Sequence, residues 1–308
     1  MDKEVIVLTG ITGYLGSAIL RLLLAEQANG HHANWLIRGT MRSMKNTAKV
    51  KLLTDYFGAV LQDTNRFEFC ECDMNNEAQL KAAMTGAKYL IHTATPVITK
   101  KNVSFEFLEK ATVQGTQKVL QAAADCHVTR IVLTSSTQAA GVHKTHVDKI
   151  DETLWSDHTI SGVIPYTKAK ILQEKMIWKW RDDQVQQGRY TPEIVTILPT
   201  TLIGEIINGI DDSTPENILQ IANNKLWYGY PDFFLGWVDV DDAAFAHLRA
   251  LEVEEAKNER FIIVGDTVHS KELFQLVLDE LDSEYTGHSF RNKQAPYFFV
   301  ALAALFTD

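Results

Sequence analysis

Eight residues near the N-terminus constrain this chain more than any other segment: Thr9-Gly10-Ile11-Thr12-Gly13-Tyr14-Leu15-Gly16. They follow a β-branched run over residues 5–9 and open an amphipathic stretch over 18–26. Gly10 permits a tight turn, Gly13 lets backbone approach a pyrophosphate, and Gly16 allows the helix to pack closely on a sheet. The helix N-terminus then presents free N–H groups and the positive end of its dipole to phosphate. Thr12, Tyr14 and Leu15 are expected around the same phosphate. A glycine triplet alone is weak evidence, and a turn without a ligand is the alternative; the strand before it and the helix after it supply the weight.

The same alternation continues for two hundred residues. Apolar runs at 5–9, 35–42, 67–71, 89–93, 130–134 and 194–198 read as strands. Amphipathic stretches at 18–26, 48–56, 77–84 and 105–124 read as helices. The pattern predicts an α/β fold, a doubly wound parallel sheet covered on both faces and joined by right-handed crossovers. After Pro199 the texture changes. Residues 204–231 hold Gly, Pro, Asn and paired Asp, which suits loops and short elements around a ligand, and 240–252, 260–264 and 271–281 read as helix, strand and helix. The expected division is a nucleotide-binding domain over 1–200 and a smaller C-terminal substrate-binding lobe over 201–308, with the strand at 260–264 able to return to the main sheet. The apolar ending at 295–308 is shorter than a bilayer-spanning helix and reads as a docking helix or a cut element rather than an anchor.

Charge and cysteine usage narrow the class. Thirty Lys and Arg against 39 Asp and Glu give a net charge of −9, which argues against nucleic acid or an anionic membrane as the main partner. Cys70, Cys72 and Cys126 are too few and too irregular for a disulfide framework and are expected as reduced thiols in or near the core. Met1-Asp2-Lys3-Glu4 leads straight into a strand without a secretory signal. The expectation is a cytoplasmic protein. His31 with His32 and His143 with His146 lack the carboxylate or Cys pattern that would complete a metal site, so none is expected.

The second strand carries the cofactor signal. NAD enzymes normally place a carboxylate at its end for the ribose 2′-OH. Here Trp35-Leu36-Ile37-Arg38-Gly39-Thr40-Met41-Arg42-Ser43 ends in cations. A guanidinium there can grip a 2′-phosphate through two parallel hydrogen bonds, which favours NADP(H). Arg42 is the first candidate, with Lys49 as helper and Arg38 as fallback; all three could also be solvated surface charges. Small residues at the fourth strand's end, Thr93, Ala94 and Thr95, leave room for the cofactor, and Pro96 turns the chain outward.

Tyr166 and Lys170 stand four apart in Tyr166-Thr167-Lys168-Ala169-Lys170, one helical turn on one face. An alkoxide formed by hydride addition to a carbonyl needs a proton donor, and a phenol of pKa about 10 is a poor base for the reverse reaction. An adjacent ammonium stabilises the phenolate and brings it nearer the working range.

These features together resemble the extended short-chain dehydrogenase/reductases, and within them the dihydroflavonol reductase-like branch. The branch landmarks are Thr40-Met41-Arg42, His92-Thr93-Ala94-Thr95-Pro96, Thr134-Ser135-Ser136, Asp151-Glu152-Thr153-Leu154-Trp155-Ser156 and Trp237-Val238-Asp239-Val240-Asp241-Asp242. The resemblance implies that Ser136 polarises the substrate carbonyl while Ser135 supports the loop. It implies that Lys170 binds ribose, that Asp73 and Met74 flank adenine, and that Pro199, Thr200 and Leu202 approach nicotinamide. Asp73 could equally cap the following helix, Ser136 could be a turn hydroxyl, and Pro199 an ordinary strand-ending proline. Two departures bear on substrate: Gly141 stands where flavonoid reductases carry Asn, and Ser161-Gly162-Val163-Ile164-Pro165 lacks the aromatic-Cys signature of cinnamoyl reductases. Ile98, Thr137, Ile206 and Trp227 outline an apolar pocket for a modest aldehyde or ketone, unless they are simply core.

The expected activity is NADPH-dependent reduction of a small carbonyl compound by a monomer or homodimer. A sugar-nucleotide epimerase or dehydratase is the alternative that Arg42 opposes, and Thr137 opposes the dehydratase. A steroid-type hydroxy dehydrogenase and a catalytically silent NADP sensor remain open, although the sensor would usually lack the Tyr/Lys pair.

Overall fold

A computed structural model describes residues 3–95, 104–145, 147–207, 230, 232 and 234–280. Seven of its strands build one parallel sheet: β1 (Glu4–Thr9), β2 (Trp35–Met41), β3 (Phe67–Glu71), β4 (Ala87–His92), β5 (Arg130–Thr134), β6 (Glu193–Pro199) and β9 (Arg260–Ile263). Their spatial order is β3-β2-β1-β4-β5-β6-β9, so the chain reverses direction across the sheet between β1 and β4. In doubly wound sheets the crevice at the carboxyl ends of such a strand pair is where ligands sit. The fold class matches the expectation, and β9 does return to the main sheet beside β6.

Alternation along the strands divides the core into two layers. Ile6 and Leu8 of β1 pack with Leu20 and Leu23 of α1 (Tyr14–Ala28) and Leu248 of α8 (Val240–Glu252). Val7 faces the other way, into the layer of Leu80 from α3 (Glu77–Met84), Val119 from α5 (Gly115–Asp125) and Ile177 from α7 (Pro165–Gln186). The helix expected over 105–124 is interrupted. α4 (Phe105–Glu109) passes into a π-turn at Lys110–Gln114 before α5 begins. A shorter α2 (Thr47–Phe57) follows β2, and α6 (Gln138–Gly141) is a single turn after β5.

Beyond β6 a second sheet of three strands stands beside the first. β8 (Phe234–Asp239) pairs in parallel with β7 (Thr201–Ile203) and antiparallel with β10 (Asp266–His269), which leads into α9 (Ser270–Glu280). Most of the loop-rich stretch 204–231 and the ending 295–308 lie outside the described residues.

Arg130 ties the layers together. Its buried guanidinium bonds the Glu193 carboxylate at 2.7 Å and the carbonyls of Ala250, Leu251 and Val253 at the end of α8. Removing one partner of such a network leaves the others buried and unpaired. Arg130→Met should therefore cost about 3 kcal/mol, read as a lower urea midpoint at unchanged slope. A loss below about 0.5 kcal/mol, the range of ordinary surface changes, would contradict this role.

Candidate active site

β1 and β4 end side by side, and their termini are stitched together. Thr93 Oγ1 donates to the Thr9 carbonyl at 2.6 Å, and Thr9 Oγ1 lies 2.8 Å from His92 Nδ1. Gly10 turns the chain with a φ of +76°, and Gly13 N bonds Gly10 O at 2.9 Å. A Cβ on Gly16 would lie 2.0 Å from Gly10 O, so only glycine lets helix and turn meet here. No side chain caps the start of α1, where Gly13 is the N-cap. A helix start of this kind turns the positive end of its dipole toward an anion.

The turn forms one wall of a cleft of about 570 Å³. Gly10, Thr12, Gly13, Tyr14, Leu15 and Gly16 line it, as do Thr93, Ala94 and Thr95, and Pro199, Thr200 and Leu202. Ser136, Thr137, Tyr166, Lys170 and Lys49 complete the set of expected residues brought together there. A glycine cradle, an uncapped helix start and lysines lining the same cleft suit a dinucleotide.

Two neighbouring serines are used differently. Ser135 is buried and donates to Glu174 Oε2 at 2.5 Å. Half-buried Ser136 accepts from Gln138 N at 3.3 Å, and its hydroxyl proton can point into the cleft. Pro165 occupies the first turn of α7, fixing the helix start one residue before Tyr166. Lys170, one turn on, is only 2% exposed. Its ammonium donates to Thr95 Oγ1 at 3.0 Å, Thr134 O at 3.3 Å and Gln173 Oε1 at 3.1 Å. Burial pushes this lysine down to about 8, with the Glu174 charge pulling the other way. Burial, and then the charge of Lys170, hold His92 at about 3, so that imidazole is neutral.

Several expected residues are placed elsewhere. Arg38, the fallback phosphate clamp, is engaged away from the cleft. It is the register partner of Glu68, pairs with that carboxylate at 2.5 Å and bonds the carbonyls of Ala83 and Thr85 at the far end of α3. Ile206 is partly exposed and outside the cleft walls, next to Glu205, which pairs with Arg21 of α1. Exposed Arg42 directly follows β2 but is not part of the cleft lining. Asp73 and Met74 also stand outside it. Asp73 accepts from Asn75 N at 2.9 Å, and Asn76, not Asp73, caps α3. Ile98 and Trp227 lie outside the described residues. Phe234, Leu235 and Gly236 of β8 form a wall that sequence reasoning missed; a Cβ on Gly236 would meet Thr200 Cγ2 at 2.6 Å. The aromatic run before Trp237-Val238-Asp239 was the available signal.

Known proteins resemble the chain over most of its length. A family model described as the 3-beta hydroxysteroid dehydrogenase/isomerase family matches residues 7–286. Cinnamoyl-CoA reductase 1 of Oryza sativa subsp. japonica is 29% identical over 289 residues, covering 92% of this chain and 78% of that one. Vestitone reductase of Medicago sativa is 30% identical over 257 residues, with coverage of 81% and 73%. The structure of Gre2 from Candida albicans in complex with NADPH superposes with a TM-score of 0.72 at 26% identity, covering 90% of this chain and 83% of that one. The resemblance read from the glycine turn and the Tyr/Lys pair holds: the chain belongs to the 3-beta hydroxysteroid dehydrogenase/isomerase family of extended short-chain dehydrogenase/reductases.

Proposed function

We propose that this NADPH-dependent reductase converts a small aldehyde or ketone to its alcohol with Ser136, Tyr166 and Lys170 as the catalytic groups. The observation that carries the reading is that one cleft is lined both by the glycine turn and by these three side chains. Gly10 to Gly16 and the start of α1 hold the pyrophosphate, Thr93 to Thr95 leave room beside it, and Pro199, Thr200 and Leu202 flank the nicotinamide. Bound reduced nicotinamide supplies the hydride. Ser136 Oγ donates a hydrogen bond to the substrate's carbonyl oxygen, and Tyr166 passes its phenolic proton to the same atom. Lys170 holds the ribose and, as an ammonium, lowers the cost of leaving Tyr166 as phenolate. The residues from 201 onward form the substrate lobe, with Phe234 and Leu235 as apolar contacts and Thr137 on the opposite strand end. The chain works as a monomer or homodimer in the cytoplasm; among the described residues no helix is long and apolar enough to cross a membrane.

Tyr166→Phe keeps the ring and loses the proton. Mixed with NADPH and a panel of aldehydes and ketones, it should lose at least about 100-fold in turnover while cofactor affinity stays within a few-fold. Unchanged turnover would remove Tyr166 from the mechanism. For the 2′-phosphate, Lys49 lines the cleft and exposed Arg42, just outside it at the end of β2, reaches in when the phosphate is bound. Lys49→Ala and Arg42→Ala should each weaken NADPH about tenfold and NADH less than twofold in fluorescence titrations. Equal loss for both cofactors would contradict a phosphate clamp.

The pH profile has a definite sign. Lys170 carries its charge below about 8 and loses it above. Reduction should be fully supported below that value and decline as pH rises through it. His92 and His247, held by burial at about 3 and about 4, are neutral throughout and add no limb between pH 5 and 8. A rate that climbs steadily from pH 7 to 10 would contradict the need for the ammonium.

A further inference from the structure

Gln173 lies three residues after Lys170 on the buried face of α7, and nothing in the proposed chemistry uses it. We propose that Gln173 is a positioning residue: it holds the Lys170 ammonium from behind and anchors it, through Thr116, to the π-turn before α5. The inference rests on Lys170 belonging to the reductase site.

The amide can face only one way. Lys170 has only donors to offer, so the oxygen, not the nitrogen, must point at it, at 3.1 Å. The amide nitrogen is then turned toward Thr116 and donates to its Oγ1 at 2.7 Å. Both Gln173 and Thr116 are buried, so neither bond competes with water. Thr116 is the second residue of α5, directly after the π-turn at Lys110–Gln114. One extra residue in a turn rotates the helix beyond it by about 100°, so the widened turn decides which side of α5 meets α7. The chain of contacts runs from π-turn to hydroxyl to amide to ammonium.

The three acceptors on Lys170 are not equivalent. Thr134 offers a fixed backbone carbonyl, and Thr95 a hydroxyl on the cleft wall that a ligand's own hydroxyl can replace. Gln173 is the side chain that keeps the ammonium from swinging with the ligand. Among the described residues, the groups around Lys170 that could alter its charge are few. Tyr166 and Glu174 lie on its own helix, His92 on β4 is neutral, and β5 and α5 present the Thr134 carbonyl and the Thr116 hydroxyl. Glu174 is already engaged by Ser135, Thr196 and Arg260. The neutral amide of Gln173 is therefore the adjustable neighbour.

Two substitutions move the ammonium in opposite directions. Gln173→Glu adds a carboxylate beside it and should move the alkaline limb of kcat up by about one pH unit or more. Gln173→Leu removes the acceptor and should move the limb down, with the largest rate loss near pH 9 and a much smaller one near pH 6.5. Thr116→Val, which frees the amide, should shift it in the same direction as Gln173→Leu but less. A second readout needs no turnover: the 13Cε resonance of Lys170 in lysine-labelled protein without cofactor, assigned with Lys170→Arg, should titrate higher in Gln173→Glu and lower in Gln173→Leu. Superimposable titrations in both variants, or shifts of the same sign, would overturn the proposal. If the resonance moves as expected while the native protein reduces no carbonyl compound with NADPH, the reductase reading fails, and the hold of Gln173 on the Lys170 ammonium stands without its catalytic purpose.

Discussion

A single ammonium taken out of water organises this molecule. Burying a cation costs several kcal/mol unless each donor finds an acceptor in good geometry. Lys170 meets that condition with three acceptors drawn from three elements: a hydroxyl at the end of β4, a carbonyl at the end of β5 and an amide on α7 itself. A sheet that places β4 beside β5, with Lys170 of α7 reaching the residues at both strand ends, supplies all three. The same adjacency sets β1 next to β4, so the glycine turn opens into the cleft that holds the ammonium. Topology and chemistry are joined at that point.

One turn along α7 a buried carboxylate does comparable work for the framework. Glu174, with no exposed surface, gathers Ser135 from the loop after β5, Thr196 from β6 and Arg260 from β9. Arg260 in turn bonds the carbonyls of Glu152 and Leu154 and lies 3.8 Å from the centre of the Trp155 ring. Engaging Ser135 is what leaves Ser136 as the serine with a proton to offer the cleft. The last strand of the main sheet thus bears on the loop that lines the cleft, although β9 lies at the sheet's edge.

The alternation of strands and helices was legible because its signals are local: β-branched runs, glycine turns and helical spacing. β3 and β5 match their predicted bounds residue for residue, and the Tyr/Lys pair announced its own spacing. What escaped depends on contacts between distant segments. Arg38 reads as a cation near a strand end, but its fate is set by Glu68 lying opposite in the neighbouring strand and by carbonyls of α3. Phe234 to Gly236 become a cleft wall only once β8 pairs with β7 and β10. The π-turn at Lys110–Gln114 leaves no periodic signature, and Gln173 gains meaning only when α5 and α7 are packed together.

What faces the nicotinamide decides whether this chemistry can occur. A crystal structure with NADPH bound is the direct measurement. It should find the Tyr166 hydroxyl beside the dihydropyridine ring, the Lys170 ammonium bonded to the adjoining ribose, and the pyrophosphate over Gly10 to Gly16. A cofactor seated with its nicotinamide remote from Tyr166, or a Lys170 ammonium with no contact to the ribose, would contradict it.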